Sequence, residues 1–220
     1  MAKETIAILG GTGDLGTGLA IRWSKAGHQI IIGSRTQQKA DAAVVELKKV
    51  SPQTSARAME NAAAAAAGDI VVLTVPYEHQ LSTLESVRAG LEGKILIDVT
   101  VPLIPPKVGT VQLPPEGSAG KRAQNFLGDG VKVVTAFQNV AAHLLQQDVK
   151  IECDVLVAGN SKEARDKVVE LVEEAGMSGW HAGPIENSAA AEALTSILIQ
   201  INRRHSISHS GIKIVGQSDH

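Results

Sequence analysis

The feature that most constrains this 220-residue chain is a glycine-rich turn close to its beginning. An apolar run, Thr5–Leu9, leads directly into Gly10-Gly11-Thr12-Gly13-Asp14-Leu15-Gly16, which contains the spacing Gly-x-Gly-x-x-Gly. A strand, a tight glycine turn and a helix N-terminus in this order form the pyrophosphate site of dinucleotide-binding folds. The sequence therefore predicts dinucleotide binding, with Gly11 permitting the turn, Gly13 admitting phosphate to the backbone and Gly16 allowing close packing of helix on strand.

The end of the second predicted strand, Gln29–Arg35, indicates which dinucleotide is preferred. NAD-binding proteins usually place Asp or Glu about 20 residues beyond the glycines, where the carboxylate binds the ribose 2′-hydroxyl. Here Ser34 and Arg35 occupy that place, and Lys39 follows one helical turn later. A hydroxyl, a guanidinium and an ammonium group bind a 2′-phosphate that a carboxylate would repel. Ordinary surface cations are the alternative, but cations beside a helix N-terminus are unfavourable without an anion. The pattern predicts NADP(H).

Strands and helices alternate along the rest of the chain. Apolar runs predict strands at Asp69–Val75, Lys94–Val99, Lys132–Ala136 and Asp154–Ala158, and Ser55–Met59 is short enough for a strand at the edge of the sheet. Helices are predicted at Ala40–Val50, Asn61–Ala67, Lys162–Ala175 and Ser188–Arg203. This alternation predicts an α/β, doubly wound (Rossmann-like), mainly parallel sheet with a small C-terminal helical extension. We expect an NADP-binding Rossmann domain at residues 1–150. Residues 151–220 are expected to form a smaller C-terminal α/β segment that completes the acceptor site and contributes to a homodimer contact.

Composition and charge exclude several classes of protein. A net charge of −2 argues against a large nucleic-acid surface, and two Trp, two Phe and one Tyr are too few for a single-strand stacking platform. No apolar run approaches the ~18 residues of a membrane span, and the first residues lack the apolar core of a signal peptide. Cys153 is the only cysteine, so no internal disulfide can form. We therefore expect a cytoplasmic protein with small-molecule cofactors as partners, and neither nucleic acid nor membrane.

Ligands of an open parallel sheet bind beyond the carboxyl ends of its strands. Besides the glycine turn and Ser34–Lys39, the segments Thr74–His79, Asp98–Pro102 and Phe137–Ala142 reach that edge. None of these segments contains a Ser-His-Asp set, paired carboxylates or a Lys-plus-Asn pattern, so no catalytic residue is assigned. His79 is equally consistent with a place in the site and with a half-exposed helix start.

Charged and metal-binding residue types near the C-terminus allow only weak inferences. His205 and His209 are four apart, but no Glu accompanies them and Gly211 soon ends the segment, so no metal site is predicted. A basic cluster of Arg203, Arg204 and Lys213 is equally consistent with neutralising a helix C-terminus and with binding an anionic tail of a ligand.

Four motifs together resemble the NADPH-dependent reductases of the deazaflavin coenzyme F-420 (F420). They are the glycine turn, Gly33-Ser34-Arg35, Leu73–His79, and Asn202-Arg203-Arg204 with Gly211-Ile212-Lys213-Ile214. The resemblance extends over almost the whole chain. It implies hydride transfer between C4 of the NADP(H) nicotinamide and C5 of the 8-hydroxy-5-deazaflavin, for which the protein mainly aligns the two rings.

The resemblance also implies which residues bind the two cofactors. Thr12–Leu15 would hold the pyrophosphate, and Tyr77 and Leu81 would flank the nicotinamide half. Val101 and Ala142 would back the nicotinamide ring, and Ser210-Gly211 would approach the deazaflavin. The complete predicted set is Gly11, Thr12, Gly13, Asp14, Leu15, Ser34, Arg35, Lys39, Thr74, Val75, Pro76, Tyr77, Leu81, Val101, Asn139, Ala142, Ser210 and Gly211.

Two positions depart from the family pattern. Gln138 stands where His is frequent, and His205 stands where an aromatic residue is common after Asn-Arg-Arg. Either departure is compatible with a shifted acceptor. The alternatives are therefore an NADPH-dependent reductase of a flavin, a ferric chelate or an imine on the same scaffold, and a non-catalytic NADP-sensing protein.

Overall fold

In the part of the chain that the structure describes, eight strands form one sheet that is covered by helices on both faces. The computed structural model describes residues 3–147 and 149–216. The strands are β1 (Thr5–Leu9), β2 (Gln29–Ser34), β3 (Arg57–Glu60), β4 (Ile70–Leu73), β5 (Ile95–Asp98), β6 (Lys132–Thr135), β7 (Asp154–Gly159) and β8 (Ser178–Gly183). The helices are α1 (Asp14–Lys25), α2 (Gln37–Val50), α3 (Asn61–Ala67), α4 (Gln80–Val87), α5 (Ala119–Leu127), α6 (Ala142–Leu145), α7 (Lys162–Glu174) and α8 (Ser188–His205).

The strand order confirms the predicted doubly wound architecture. It is β3-β2-β1-β4-β5-β6-β7-β8, and every pair is parallel except β6 with β7, which is antiparallel. The order of the strands reverses between β1 and β4, so the connections that follow these two strands lead to opposite faces of the sheet and leave a crevice between them. Open α/β sheets bind their ligands at such a switch point.

Alternation along the central strands divides the core into two layers. Ile6 and Ile8 of β1 face the layer that contains α1, α2 and α7, whereas Ala7 and Leu9 face the layer that contains α3, α4 and α5. Successive side chains of a strand point to opposite faces, so a strand covered on both sides is apolar throughout. This is why β1, β2 and β4 were predictable from continuous apolar runs.

One strand was missed from the sequence. β8, Ser178–Gly183, has the sequence Ser-Gly-Trp-His-Ala-Gly and lies at the edge of the sheet, with half of its residues exposed. An edge strand with so little burial needs no apolar run, so periodicity gives no signal for it. This strand forms because it pairs with β7.

None of the helices in the described part of the chain combines the length and hydrophobicity that a membrane crossing requires.

Two carboxyl groups lie buried where β5 meets α5 and α8. Glu192 is 1% exposed and accepts hydrogen bonds from the backbone N–H groups of Ala119 (2.6 Å) and Gly120 (3.0 Å), in the first turn of α5. Asp98 is fully buried and accepts a hydrogen bond from Nε2 of Gln80 at 2.6 Å. Burial raises the pKa of Glu192 to about 8, because the loss of hydration outweighs the two backbone hydrogen bonds. Burial raises the pKa of Asp98 as well.

A pH dependence of stability follows from Glu192. Its folded pKa of about 8 lies above the ordinary value of 4.5, so the folded chain binds this proton more tightly than the unfolded chain. The contribution of Glu192 to the free energy of unfolding should therefore be largest below pH 4.5. It should fall as pH rises from 4.5 to about 8 and level off above that. Glu192→Gln should remove much of this fall, on the order of 4 kcal/mol.

Thermal unfolding between about pH 5 and pH 9 measures this effect. Glu116→Gln, at an exposed glutamate, is the matched control and should leave the slope unchanged. If Glu192→Gln and the unaltered protein lose stability in parallel across that range, Glu192 is not the group responsible.

Candidate functional site

A groove crosses the carboxyl ends of β2, β1, β4 and β5, and two cavities lie along it. The first, here the Arg35 cavity, has a volume of about 410 Å³, and the second, the Tyr77 cavity, about 400 Å³. The two cavities adjoin each other, because both are lined by Gly13, Thr74, Val75 and Pro76. The shared residues are the glycine turn and the end of β4, which puts the switch point of the sheet at the middle of the groove.

Each glycine of the turn has a distinct steric role. Gly11 was expected to permit the turn, but the left-handed backbone conformation, with φ of 69°, is at Gly10. A Cβ on Gly11 would lie 2.8 Å from the carbonyl oxygen of Ile8, and a Cβ on Gly16 would lie 2.7 Å from Cα of Gly11. These two glycines therefore allow α1 to pack directly on β1.

Gly13 differs from the other glycines because its surroundings are open. A Cβ there would have no heavy atom within 4 Å, and its φ of −89° is accessible to any residue. Gly13 is also the N-cap of α1, and no side chain caps the helix. The backbone N–H groups of the first turn are thus left for an external acceptor, and a helix N-terminus of this kind binds phosphate.

Cations line the far end of the Arg35 cavity. Ser34 is buried at the end of β2, while Arg35 and Lys39 are exposed and flank the start of α2. Thr36 caps this helix by accepting from the backbone N–H of Lys39 at 3.4 Å. Within the described residues, neither Arg35 nor Lys39 forms an ion pair. Two unpaired cations beside a helix N-terminus fit an anionic ligand group.

Besides Gly10 of the glycine turn, four residues line the Arg35 cavity and were not in the predicted set: Asn61, His79, Ser82 and Thr83. Asn61 begins α3 after the edge strand β3, and the other three follow β4. His79 was left undecided from the sequence, and it proves to be both exposed and part of the cavity wall. Only tertiary packing places these polar residues together, because nothing in their local sequence distinguishes them from surface positions.

The Tyr77 cavity is lined mainly by apolar groups. Val99, Val101 and Leu103 form one wall, and Tyr77 lies beneath the guanidinium of Arg122, 4.8 Å from the ring centre. Of the predicted set, Gly13, Asp14, Leu15, Thr74, Val75, Pro76, Tyr77 and Val101 line this cavity. Leu81 does not, because it packs against the buried core on the α3 and α4 side of the sheet.

Two smaller cavities lie beyond β6, beside α8 and the C-terminal segment. The Thr195 cavity (about 230 Å³) is lined by Gln138, Asn139, Thr195 and Asn202 among others, and the Cys153 cavity (about 220 Å³) adjoins it. Asn139, Ala141, His209 and Ser210 line both cavities. Gly211 lines the Cys153 cavity, while Ala142 lines neither of the two; its neighbour Ala141 lines both.

Unsatisfied polar atoms concentrate at these cavities. In the described part of the chain, seven buried side-chain atoms have no hydrogen-bond partner. Five of the seven belong to cavity-lining residues, namely Asn61, Thr100, Gln138, Asn139 and Ser210. A buried polar atom without a partner costs about 1–3 kcal/mol, so its location marks a place where a ligand can supply the missing bond.

The C-terminal histidines and cations adopt an arrangement that spacing alone did not show. α8 ends at His205, and Ser206 has a left-handed backbone, so His209 does not continue the helical face. The His209 ring stacks instead on that of His143, with 5.4 Å between ring centres. Lys213 forms an ion pair with the carboxylate of Asp154 at 3.4 Å, whereas Arg203 and Arg204 are exposed.

Comparison with known proteins identifies close relatives. A family model described as NADP oxidoreductase, coenzyme F420-dependent, matches residues 5–102. The F420-dependent NADP reductase of Methanocaldococcus jannaschii is 41% identical over 218 residues, which cover 95% of this chain and 97% of that protein. The F420-dependent NADP reductase of Methanothermobacter thermautotrophicus is 39% identical, with 95% and 94% covered. A solved structure of a hypothetical protein from Sinorhizobium meliloti has a TM-score of 0.70 at 23% identity, covering 86% of this chain and 88% of that one, a likeness of fold alone.

Proposed function

Because the chain belongs to the family of F420-dependent NADP reductases, we propose that it transfers a hydride between NADP(H) and coenzyme F420. It is thus an NADP-dependent oxidoreductase with two small-molecule cofactors as its reactants. The observation that best supports the NADP half is the pair of cations, Arg35 and Lys39, at the end of a groove that begins at the uncapped N-terminus of α1.

We assign the ends of NADP(H) along that groove. The pyrophosphate lies at the first turn of α1, where Gly13 leaves the backbone accessible. The 2′-phosphate lies between Ser34, Arg35 and Lys39, and the nicotinamide enters the apolar Tyr77 cavity. The apolar walls suit an uncharged dihydronicotinamide ring and exclude water from the hydride.

The acceptor occupies the region of the Thr195 and Cys153 cavities in this proposal. A hydrogen bond links the two halves of the site: Nε2 of Gln138 donates to the carbonyl oxygen of Asp98 at 2.9 Å. Gln138 lines the Thr195 cavity, and Asp98 directly precedes the Val99–Val101 wall of the Tyr77 cavity. Residues 1–150 thus hold NADP(H), and residues 151–220 complete the acceptor side through α8, Ser210 and Gly211.

Alignment is the main contribution of the protein to this reaction. A deazaflavin accepts a hydride as a two-electron unit and spreads the charge over its own ring atoms, so it needs little acid-base help. Holding the two rings at reacting distance replaces a bimolecular encounter by an effectively unimolecular step. The absence of an assigned catalytic residue fits this division of work.

An anaerobic assay of the purified protein tests the proposal. NADPH and oxidised F420 are mixed, and the loss of visible absorbance of the acceptor is followed, with NADH and a free flavin as controls. Rapid bleaching that requires NADPH is the expected result. Tight binding of NADPH without bleaching would contradict the proposal that F420 is the acceptor. Turnover with a flavin, a ferric chelate or an imine would then identify one of the alternative reductases.

We also propose a cytoplasmic homodimer that forms through α8. Ile197 and Ile201 are 46% and 37% exposed on this helix, and Ile207 lies just beyond it at 47%. Neighbouring exposed isoleucines are unfavourable in water and are typical of an interface. Light scattering should give the mass of two chains for the unaltered protein and of one chain for Ile197→Glu. Val45→Glu, at an equally exposed apolar residue on α2, is the control that should remain dimeric; dissociation of both variants, or of neither, would contradict the assignment.

A further inference from the structure

A cation lies over the aromatic ring that forms part of the wall of the Tyr77 cavity. The guanidinium carbon of Arg122 is 4.8 Å from the ring centre of Tyr77, and Tyr77 lines the cavity. Arg122 belongs to α5 and is not among the residues that line the cavity. Its guanidinium covers one face of the ring, which leaves the other face and the edge of the ring for a ligand.

The charge of Arg122 is not neutralised by a carboxylate. Its neighbour Lys121 forms an ion pair with Glu186, whereas none of the ion pairs within the described part of the chain includes Arg122. The contact that the structure shows for this guanidinium is the cation–π contact with Tyr77. Arg122 is also half-buried, so water screens its charge less than that of an exposed cation. Its field therefore extends to a ligand group on the other side of the ring.

The two redox states of NADP(H) differ in charge at the ring that enters this cavity. The oxidised nicotinamide ring carries one positive charge, whereas the dihydronicotinamide ring is neutral. A ring stacked on the free face of Tyr77 at van der Waals contact would lie about 8–9 Å from the Arg122 guanidinium. Coulomb's law at that distance gives about a 2-fold effect on affinity in water and about a 25-fold effect at a dielectric constant of about 20. The effect of a half-buried cation lies between these limits.

We propose that Arg122, acting across the Tyr77 ring, is a specificity-determining residue that makes the protein bind NADPH in preference to NADP⁺. Two cations on opposite faces of one aromatic ring repel each other, and this repulsion weakens the binding of the oxidised nucleotide only. Asp14 is the one carboxylate that lines the cavity, but it is exposed and accepts a hydrogen bond from Gln146 at 3.4 Å, so its attraction for the oxidised ring is screened. The inference rests on the proposed function in placing the nicotinamide in the Tyr77 cavity, and it does not depend on which acceptor receives the hydride.

Calorimetric titrations of Arg122→Met test the proposal with NADPH, NADP⁺ and 2′-phospho-ADP-ribose, which lacks the nicotinamide. Met keeps an unbranched apolar side chain and removes the charge. The Kd for NADP⁺ should fall by about 5-fold, while the constants for NADPH and for the nicotinamide-free ligand should change little. Arg122→Lys keeps the charge and should retain the preference for NADPH. An unaltered ratio of the NADPH and NADP⁺ constants in Arg122→Met, or an equal change for all three ligands, would overturn the proposal.

Arg88→Met is the matched control. Arg88 also lies over an aromatic ring, that of Phe126, at 5.3 Å from the ring centre, and neither residue lines any of the cavities described above. This variant removes one positive charge and one cation–π contact away from the groove, so it should leave the ratio of the two constants unchanged. A change equal to that of Arg122→Met would mean that the net charge of the protein sets the preference, which would also overturn the proposal.

Val101→Trp separates a failure of this proposal from a failure of the proposed function. Val101 lines the Tyr77 cavity, and the larger side chain would fill it. This variant should weaken NADPH and NADP⁺ alike and leave 2′-phospho-ADP-ribose unaffected. Normal binding of NADPH by Val101→Trp would contradict the placement of the nicotinamide, and with it the role of Arg122. Weakened binding by Val101→Trp together with an unaltered ratio in Arg122→Met would contradict the role of Arg122 alone. Because the readout is binding, a protein that fails to reduce F420 would contradict the proposed acceptor and still test Arg122.

Discussion

Arg35→Ala is expected to raise the KM for NADPH by about 10- to 100-fold and to change the KM for NADH little. Arg35 is exposed, lines the Arg35 cavity and has no anionic partner within the described chain. Its guanidinium can therefore be committed to the 2′-phosphate, and a charge-assisted hydrogen bond contributes about 1.5–3 kcal/mol. NADH lacks this phosphate and loses nothing when the guanidinium is removed.

Steady-state kinetics with both cofactors measure the two constants. Arg57→Ala is the matched control, because Arg57 is an exposed arginine on the adjacent strand β3 that lines neither cavity of the groove. It should leave both constants near their original values. Proportional increases for NADPH and NADH in Arg35→Ala would mean that Arg35 stabilises the groove in general and does not choose the cofactor.

Gly13→Ala is expected to weaken NADPH binding by about 100-fold while leaving the fold intact. The backbone conformation of Gly13 suits alanine, and the new Cβ would meet no protein atom within 4 Å. The methyl group would instead project into the space that we assign to the pyrophosphate. It would hold the phosphate away from the N–H groups of α1, and at least two charge-assisted hydrogen bonds would be lost.

Gly16→Ala separates binding from folding. Its Cβ would lie 2.7 Å from Cα of Gly11 and 2.9 Å from Oγ1 of Thr74, so α1 would have to move off the sheet. Calorimetry and thermal unfolding should then show a marked loss of heat stability for Gly16→Ala and almost none for Gly13→Ala. Normal NADPH binding by Gly13→Ala would contradict the placement of the pyrophosphate at this turn.

Periodicity and the glycine pattern predicted the elements that carry the cofactor half of the site. β1, β2 and β4 are covered on both faces, so each is a continuous apolar run that is visible in the sequence. The apolar run of β2 also predicted where Ser34 and Arg35 lie, because ligands of such a sheet bind beyond the carboxyl ends of its strands. The family resemblance, confirmed by the identity to known reductases, supplied the acceptor, which no local pattern indicated.

Positions that depend on neighbours distant in the sequence were missed or displaced. Leu81 was expected beside the nicotinamide, but it is half-buried, packs against the core on the α3 and α4 side and lines neither cavity of the groove. Thr100 was named only within the segment Asp98–Pro102, and its place in the wall of the Tyr77 cavity is visible only in the folded chain. The same holds for Asn61, whose place in the cavity wall depends on the edge strand β3 beside β2.

The sequence by itself determined the class of sheet, the glycine turn at its switch point and the choice of NADP(H) as the dinucleotide. These depend on local backbone geometry, on burial along single strands and on the charge of residues close together in the chain. Only the tertiary structure decided how the two halves of the site meet. Gln138 donates a hydrogen bond to Asp98 across 40 residues, and α8 returns from the far end of the chain to line the Thr195 cavity. Contacts of that kind depend on packing between elements, and a pattern within one segment carries no record of them.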